Sequence, residues 1–134
     1  MDLESINLEQ KSEEGASLHL EHPVTGAPLE HEGKPMVIIL AGADSKVYRN
    51  KQRDFQNRRL KNLSRGKKAD YSNLDSENIE LLAACTLSWS GIVAGGKELK
   101  YSPSAARELY EKHNWIKEQV EAFVGDRANF FTKP

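Results

Sequence analysis

From Ser17 the chain alternates between apolar and polar residues. In "SLHLEHPVTGAPLEHEGKPMVIILAG", Leu18 and Leu20 stand between polar neighbours, the two-residue period of a half-buried strand. Pro23, Gly26 and Pro28 supply turn chemistry, and the unbroken apolar run 36–40, closed by Gly42, reads as a more deeply buried strand. Together they predict a small N-terminal β-hairpin. Residues 1–15 place Leu3, Ile6 and Leu8 among acids with no sustained period. Such a stretch buries too little surface to offset its ordering entropy, which predicts a flexible acidic tail at 1–15 and a single domain over 16–134.

Helical spacing then takes over. Asp44 or Ser45 can cap "KVYRNKQRDFQNRRLKNLSRGKK", which has no breaker before Gly66. Val47, Tyr48, Phe55, Leu60 and Leu63 give this helix one narrow apolar stripe and leave it a wide basic face. In "DSENIELLAACTLSW", Asp75 or Ser76 can cap, Glu77 and Glu80 suit a helix N-terminus, and Ile79, Leu82, Ala83 and Thr86 recur at helical spacing. Leu81, Leu87 and Trp89 fill other directions, so a central core helix ending near Trp89 is predicted. The pair Gly95 and Gly96 between Ile92, Val93 and Leu99, Tyr101 signals a short hairpin. Ser102 as cap with Pro103 in the first helical position starts another helix, and a last one covers 115–124 with Ile116, Val120, Phe123 and Val124 on one face. The predicted class is α+β: a mainly α-helical small domain with an N-terminal β-hairpin and a second short β-hairpin between helices.

With 134 residues and 38% hydrophobic content, the chain can build one core. Its net charge of −1 hides a strong polarity. Acids crowd the start, whereas Lys46, Arg49, Lys51, Arg53, Arg58, Arg59, Lys61, Arg65, Lys67 and Lys68 are opposed in their segment only by Asp54. The sole cysteine, Cys85, lies in the apolar run "LLAACTL" and reads as a buried thiol; one cysteine excludes a disulfide within the chain. No apolar run approaches the roughly eighteen residues of a membrane span, and the first thirty residues carry acids where a signal peptide needs a basic flank. The expectation is a soluble, unexported protein with no membrane partner.

One motif asks for chemistry. "GIVAGGKEL" matches the phosphate-binding loop G-x-x-x-x-G-K-[ST] at Gly91, Gly96 and Lys97, but Glu98 replaces the hydroxyl residue that would hold magnesium. A phosphate loop needs a buried strand before it and a helix immediately behind the lysine. Here a helix is predicted upstream and an extended stretch downstream, and the Glu98 carboxylate would repel phosphate. The loop reads as a hairpin tip. His19 and His22, three apart on a strand, point to opposite faces and do not form a metal pair; His31 and His113 lie in polar surroundings. No Gly-x-Ser-x-Gly elbow accompanies the serines. No catalytic, cofactor or metal residue is therefore predicted, and an enzyme ranks last among the readings.

"DSKVYRNKQRDFQNRR", "ELLAACTLSWSGI" and "GGKELKYSPSAARELYEKHNWIKEQVEAFVGDRANFF", in that order, resemble the tail assembly chaperones of long-tailed bacteriophages. The likeness covers most of residues 30–131, and its most telling pieces are "WSG", "KYSPSAARELY" and the closing Phe123, Asp126, Asn129 and Phe130. These are patterns of aromatic and small residues, not catalytic signatures. The resemblance implies a non-enzymatic protein in the cytoplasm of the infected host. It would bind the tape measure protein while tail tube subunits are recruited, and be absent from the mature virion. It also implies a longer, frameshifted form, which would require an exposed end near Lys133 and Pro134. A homo-oligomer would suit a long client.

A chaperone for an amphipathic helix needs an apolar groove with a charged rim. The expected partner-binding residues are Arg49, Arg53, Arg58 and Arg59 on the rim, with those of Tyr48, Phe55, Tyr110, Trp115 and Phe131 that are exposed supplying apolar contacts. Trp89, Phe123 and Phe130 are expected in the core. Two rival readings are a nucleic-acid-binding accessory protein using 46–68 and a structural component of the virion tail. The first ranks below a solvated basic face, or one bound to an acidic protein surface, for want of a zinc motif, an aromatic platform or a helix-turn-helix.

Overall fold

The computed structural model describes residues 2–66 and 74–131. The alternating segment forms β1 (Ala16–His19) and the apolar run forms β4 (Val37–Leu40), paired antiparallel with Ala16 opposite Leu40 and His19 opposite Val37. Between them the chain makes a tight turn, in which the amides of Val24 and Thr25 donate to His22 Nδ1, and then a small ribbon of β2 (Glu30–His31) and β3 (Lys34–Pro35). Glu32 (φ 52°) and Gly33 (φ 79°) form its tip.

The sheet's third strand comes from a segment predicted as helix. After α2 (Lys46–Ser64), α3 (Leu74–Cys85) stops at Cys85, and β5 (Thr86–Ser90) continues antiparallel to β4 in the order β1-β4-β5. The helix expected to reach Trp89 is thus corrected. Thr86 donates its hydroxyl to the Leu82 carbonyl, and the amide of Ala41 donates to the Cys85 carbonyl, so one local and one tertiary donor satisfy carbonyls of the ending helix. The register shifts between Ile39 and Leu40, whose partners are Ser88 and Thr86. Leu87 is the extra residue of this bulge and stays exposed.

The other helices follow their signals. Ser45, not Asp44, caps α2: its hydroxyl accepts from the Tyr48 amide at 3.3 Å and donates to the Gly42 carbonyl at 2.6 Å. Asp44 instead binds Arg127 through two contacts of 2.8 and 3.0 Å. Ser102 caps α4 (Pro103–Lys112), and α5 (Asn114–Gly125) follows after His113. Helices α3, α4 and α5 pack together over the sheet. Leu20, Ile38, Leu40, Leu82, Leu109, Val120 and Val124 make the core between the layers.

Over residues 2–14, within the stretch expected as a flexible acidic tail, the backbone is largely helical. Asp2 caps a 3-10 turn (Leu3–Ile6), and Asn7 caps α1 (Leu8–Glu14) by accepting from the Gln10 amide. Ser12 is buried, and its carbonyl accepts the Gly42 amide at 3.1 Å. Local caps and one tertiary bond order a stretch whose hydrophobic content predicted none.

Gly95 (φ 61°) and Gly96 (φ 79°) turn the second ribbon, β6 (Val93–Ala94) against β7 (Lys97–Glu98), as the glycine pair predicts. A strand, β5, does precede the phosphate-loop look-alike, contrary to the helix expected there. The loop nevertheless runs into an antiparallel ribbon, and α4 begins only at Pro103. Glu98 accepts the Gly91 amide at 3.3 Å and faces Lys34 at 3.7 Å, so the carboxylate ties the two ribbons together.

Candidate protein-interaction surface

Most of the described cations in the basic segment are engaged within the molecule. Lys46 and Arg49 both approach Glu9 of α1, at 3.8 and 3.3 Å. Lys51 lies 3.7 Å from Glu80, and Arg59 pairs with Glu77. The last two pairs lace α2 antiparallel to α3. The Arg58 guanidinium stacks over the Phe55 ring at 5.6 Å. Arg53, Lys61 and Arg65 have no ion pair among the described residues, and Lys67 and Lys68 lie outside them. At 100° per residue, Arg53, Lys61, Arg65 and Arg58 occupy about 140° of the α2 circumference.

Beside that face the helix exposes apolar side chains. Leu60 is 62% exposed and Leu63 50%, and across the pair Leu74 is 51% exposed. Leu60 and Leu63 follow Arg59 within about one turn, and Leu74 precedes Glu77 by about one turn, so all three surround the same end of the α2–α3 pair. The cleft between these helices, about 580 Å³, is lined by Gln52, Phe55, Gln56, Arg59, Leu74 and Leu81. A second groove, about 540 Å³ and mainly apolar, lies where the hairpin loops meet the α4–α5 junction. Leu20, Leu29, Met36, Ile92 and Trp115 line it, with Lys112 at its edge.

The predicted aromatic contacts divide accordingly. Tyr110 is 1% exposed and Phe55 is buried, so both are corrected from candidate surface contacts to core residues. Tyr110 faces inward because its phenol finds a buried partner in Thr86; Phe55 is the residue of the α2 stripe that meets α3. Tyr48 is half-buried, and burial, then Cys85 and Glu121, push its phenol pKa up. Trp115 is half-buried in the second groove, edge-on to His113 at 6.2 Å. Phe131 is exposed, while Phe123 and Phe130 pack edge to face at 5.5 Å and Trp89 packs on Tyr101 at 5.3 Å. Of the rim arginines, Arg53 and Arg58 border the open cationic face, Arg49 is held by Glu9, and Arg59 is half-buried against Glu77.

Sequence reasoning assigned Leu60 and Leu63 to the packed stripe and gave Glu9 and Leu74 no role. The signal for Leu60 and Leu63 lies in the density of cations around them: a stretch with six cations over residues 58–68 cannot be enclosed by its own fold. Among the described residues no group of His, Cys, Asp and Glu is arranged to hold a metal, and no helix is long and apolar enough to cross a membrane. No protein-family model, curated protein or solved structure matches the chain.

Proposed function

We propose that this chain is a non-enzymatic assembly chaperone of a long-tailed bacteriophage. It binds the tape measure protein reversibly in the host cytoplasm and helps to recruit tail tube subunits. The observation that carries this reading is the exposed end of α2, where Leu60 and Leu63 stand beside Arg53, Arg58, Lys61 and Arg65 on a capped helix laced to α3. Such a surface shields the apolar stripe of a client helix while its cations choose the register. The order of segments over residues 30–131 supplies the kind of client.

Co-expression with the tape measure product of the same genome tests the proposal. A chaperone raises that product's soluble yield and copurifies with it; failure to do either removes the reading. A second reading, nucleic-acid binding through the same helix, is favoured by the open cations Arg53, Lys61 and Arg65 alone. It requires DNA affinity that falls steeply with salt and is lost on neutralising Arg58 and Lys61. Recovery of the chain from purified mature virions would instead favour a structural role in the tail.

A further inference from the structure

The acidic segment before β1 is seated on the first turns of α2. Glu9 lies between Lys46 and Arg49, and the Ser12 carbonyl takes the Gly42 amide. Around those anchors the fit is thin. Ser12 is the buried residue of residues 2–14, Leu3 is 82% exposed, and Ile6 is exposed as well. Ion pairs in such open positions are weak and screened by salt.

The anchored cations belong to the same stripe as the open ones. On a helical wheel Arg49 and Lys46 fall within about 40° of Arg53, and Lys61 and Arg65 lie about 80° and 120° round from it, so the stripe winds obliquely toward the C-terminus. One stripe is therefore covered over its first turns and bare beyond. What covers it is a short helix presenting a carboxylate, from a segment carrying Asp2, Glu4, Glu9, Glu13 and Glu14 against Lys11 alone.

We infer that residues 2–14 are a displaceable strap, an internal occupant of a cationic stripe whose external partner is the acidic face of a protein helix. A partner running the whole stripe releases Glu9 and breaks the bond between Ser12 and Gly42. The strap thus sets a threshold: short or weakly acidic helices fail to displace it, and long acidic ones succeed. The inference rests on reading α2 as the client-facing surface, and it adds the partner's charge and the chain's own competition for the site.

The experiment uses the full chain and its Glu9→Gln variant, with a fluorescent synthetic peptide of residues 2–14 as probe and a short DNA duplex as the alternative. Anisotropy at low salt should show the peptide binding Glu9→Gln about three- to tenfold more tightly than the unaltered chain, the scale of two exposed ion pairs. Replacing Lys46 and Arg49 by Ala should abolish that gain. Without peptide, the Gly42 amide should exchange faster in Glu9→Gln than in the unaltered chain. Equal affinities, equal exchange of the Gly42 amide in the two chains, or no peptide binding to Glu9→Gln overturns the strap. Tighter binding of DNA than of peptide by both chains overturns the assignment of an acidic protein partner. Copurification of the tape measure protein that persists without any gain in Glu9→Gln removes the strap and leaves the chaperone reading standing. The gain without copurification does the reverse.

Discussion

Thr86 Oγ1 lies 2.7 Å from the phenol oxygen of Tyr110, at the point where α3 turns into β5. The Thr86 hydroxyl donates to the Leu82 carbonyl at 2.9 Å, so Tyr110 is the donor to Thr86. The Thr86 carbonyl in turn accepts from the Tyr101 hydroxyl at 2.7 Å. One residue therefore joins the end of a helix, the start of a strand and α4. Removing the Tyr110 hydroxyl leaves Thr86 short of a buried donor. Tyr110→Phe should cost about 1–2 kcal/mol in urea denaturation, with little change in the slope of the transition. No measurable loss would show that the link carries no stability.

Burial pushes the thiol of Cys85 from an ordinary value of 9.0 up to about 12, and pushes the phenol of Tyr110 up in the same direction. Both groups are neutral when protonated, so the folded state holds their protons more tightly than the unfolded state. Their contribution is fully present below about pH 9 and is lost as the pH rises toward about 12. Stability measured at pH 8, 9, 10 and 11 should fall progressively, and Cys85→Ala should flatten the fall between pH 9 and 10. A thiol reagent at neutral pH should react with Cys85 only as the chain unfolds.

These two groups also mark where the sequence was legible and where it was not. Caps are local chemistry, so Ser45, Ser102 and Pro103 announced their helices, and the pair Gly95 and Gly96 announced its ribbon. The change from helix to strand at Thr86 was hidden. An apolar run serves a core helix and a central strand equally, and the deciding partners, β4 and Tyr110, are distant in sequence. The helical turns of residues 2–14 were hidden for the complementary reason: Ser12 meets Gly42, which no window of the segment contains. Of the surface, the cations were legible as a cluster. Their partition into paired and open ones depended on Glu9, Glu77 and Glu80 arriving from two other elements.

Gly91 (φ 72°) is fixed by more than its backbone angle. A Cβ at this position would lie 2.2 Å from the Pro35 carbonyl oxygen, part of the β3 backbone. Gly91→Ala should therefore cost about 3 kcal/mol or more, or leave the chain unfolded. Gly96→Ala, at a left-handed turn with nothing within 4 Å, should cost only about 1 kcal/mol. Similar losses at the two glycines would contradict the packing of the ribbons around Gly91.

Leu60 and Leu63 carry the central claim, because they are exposed and bear little on the fold. The double variant Leu60→Asp with Leu63→Asp should stay within about 0.5 kcal/mol of the unaltered chain for each substitution, as is usual for exposed positions. The most direct measurement is copurification of the tape measure protein with this variant, beside the unaltered chain and with circular dichroism to establish its folding. A folded variant that loses the client, while the unaltered chain retains it, is the predicted result. A folded variant that retains the client at full yield would contradict the assignment of the α2 surface.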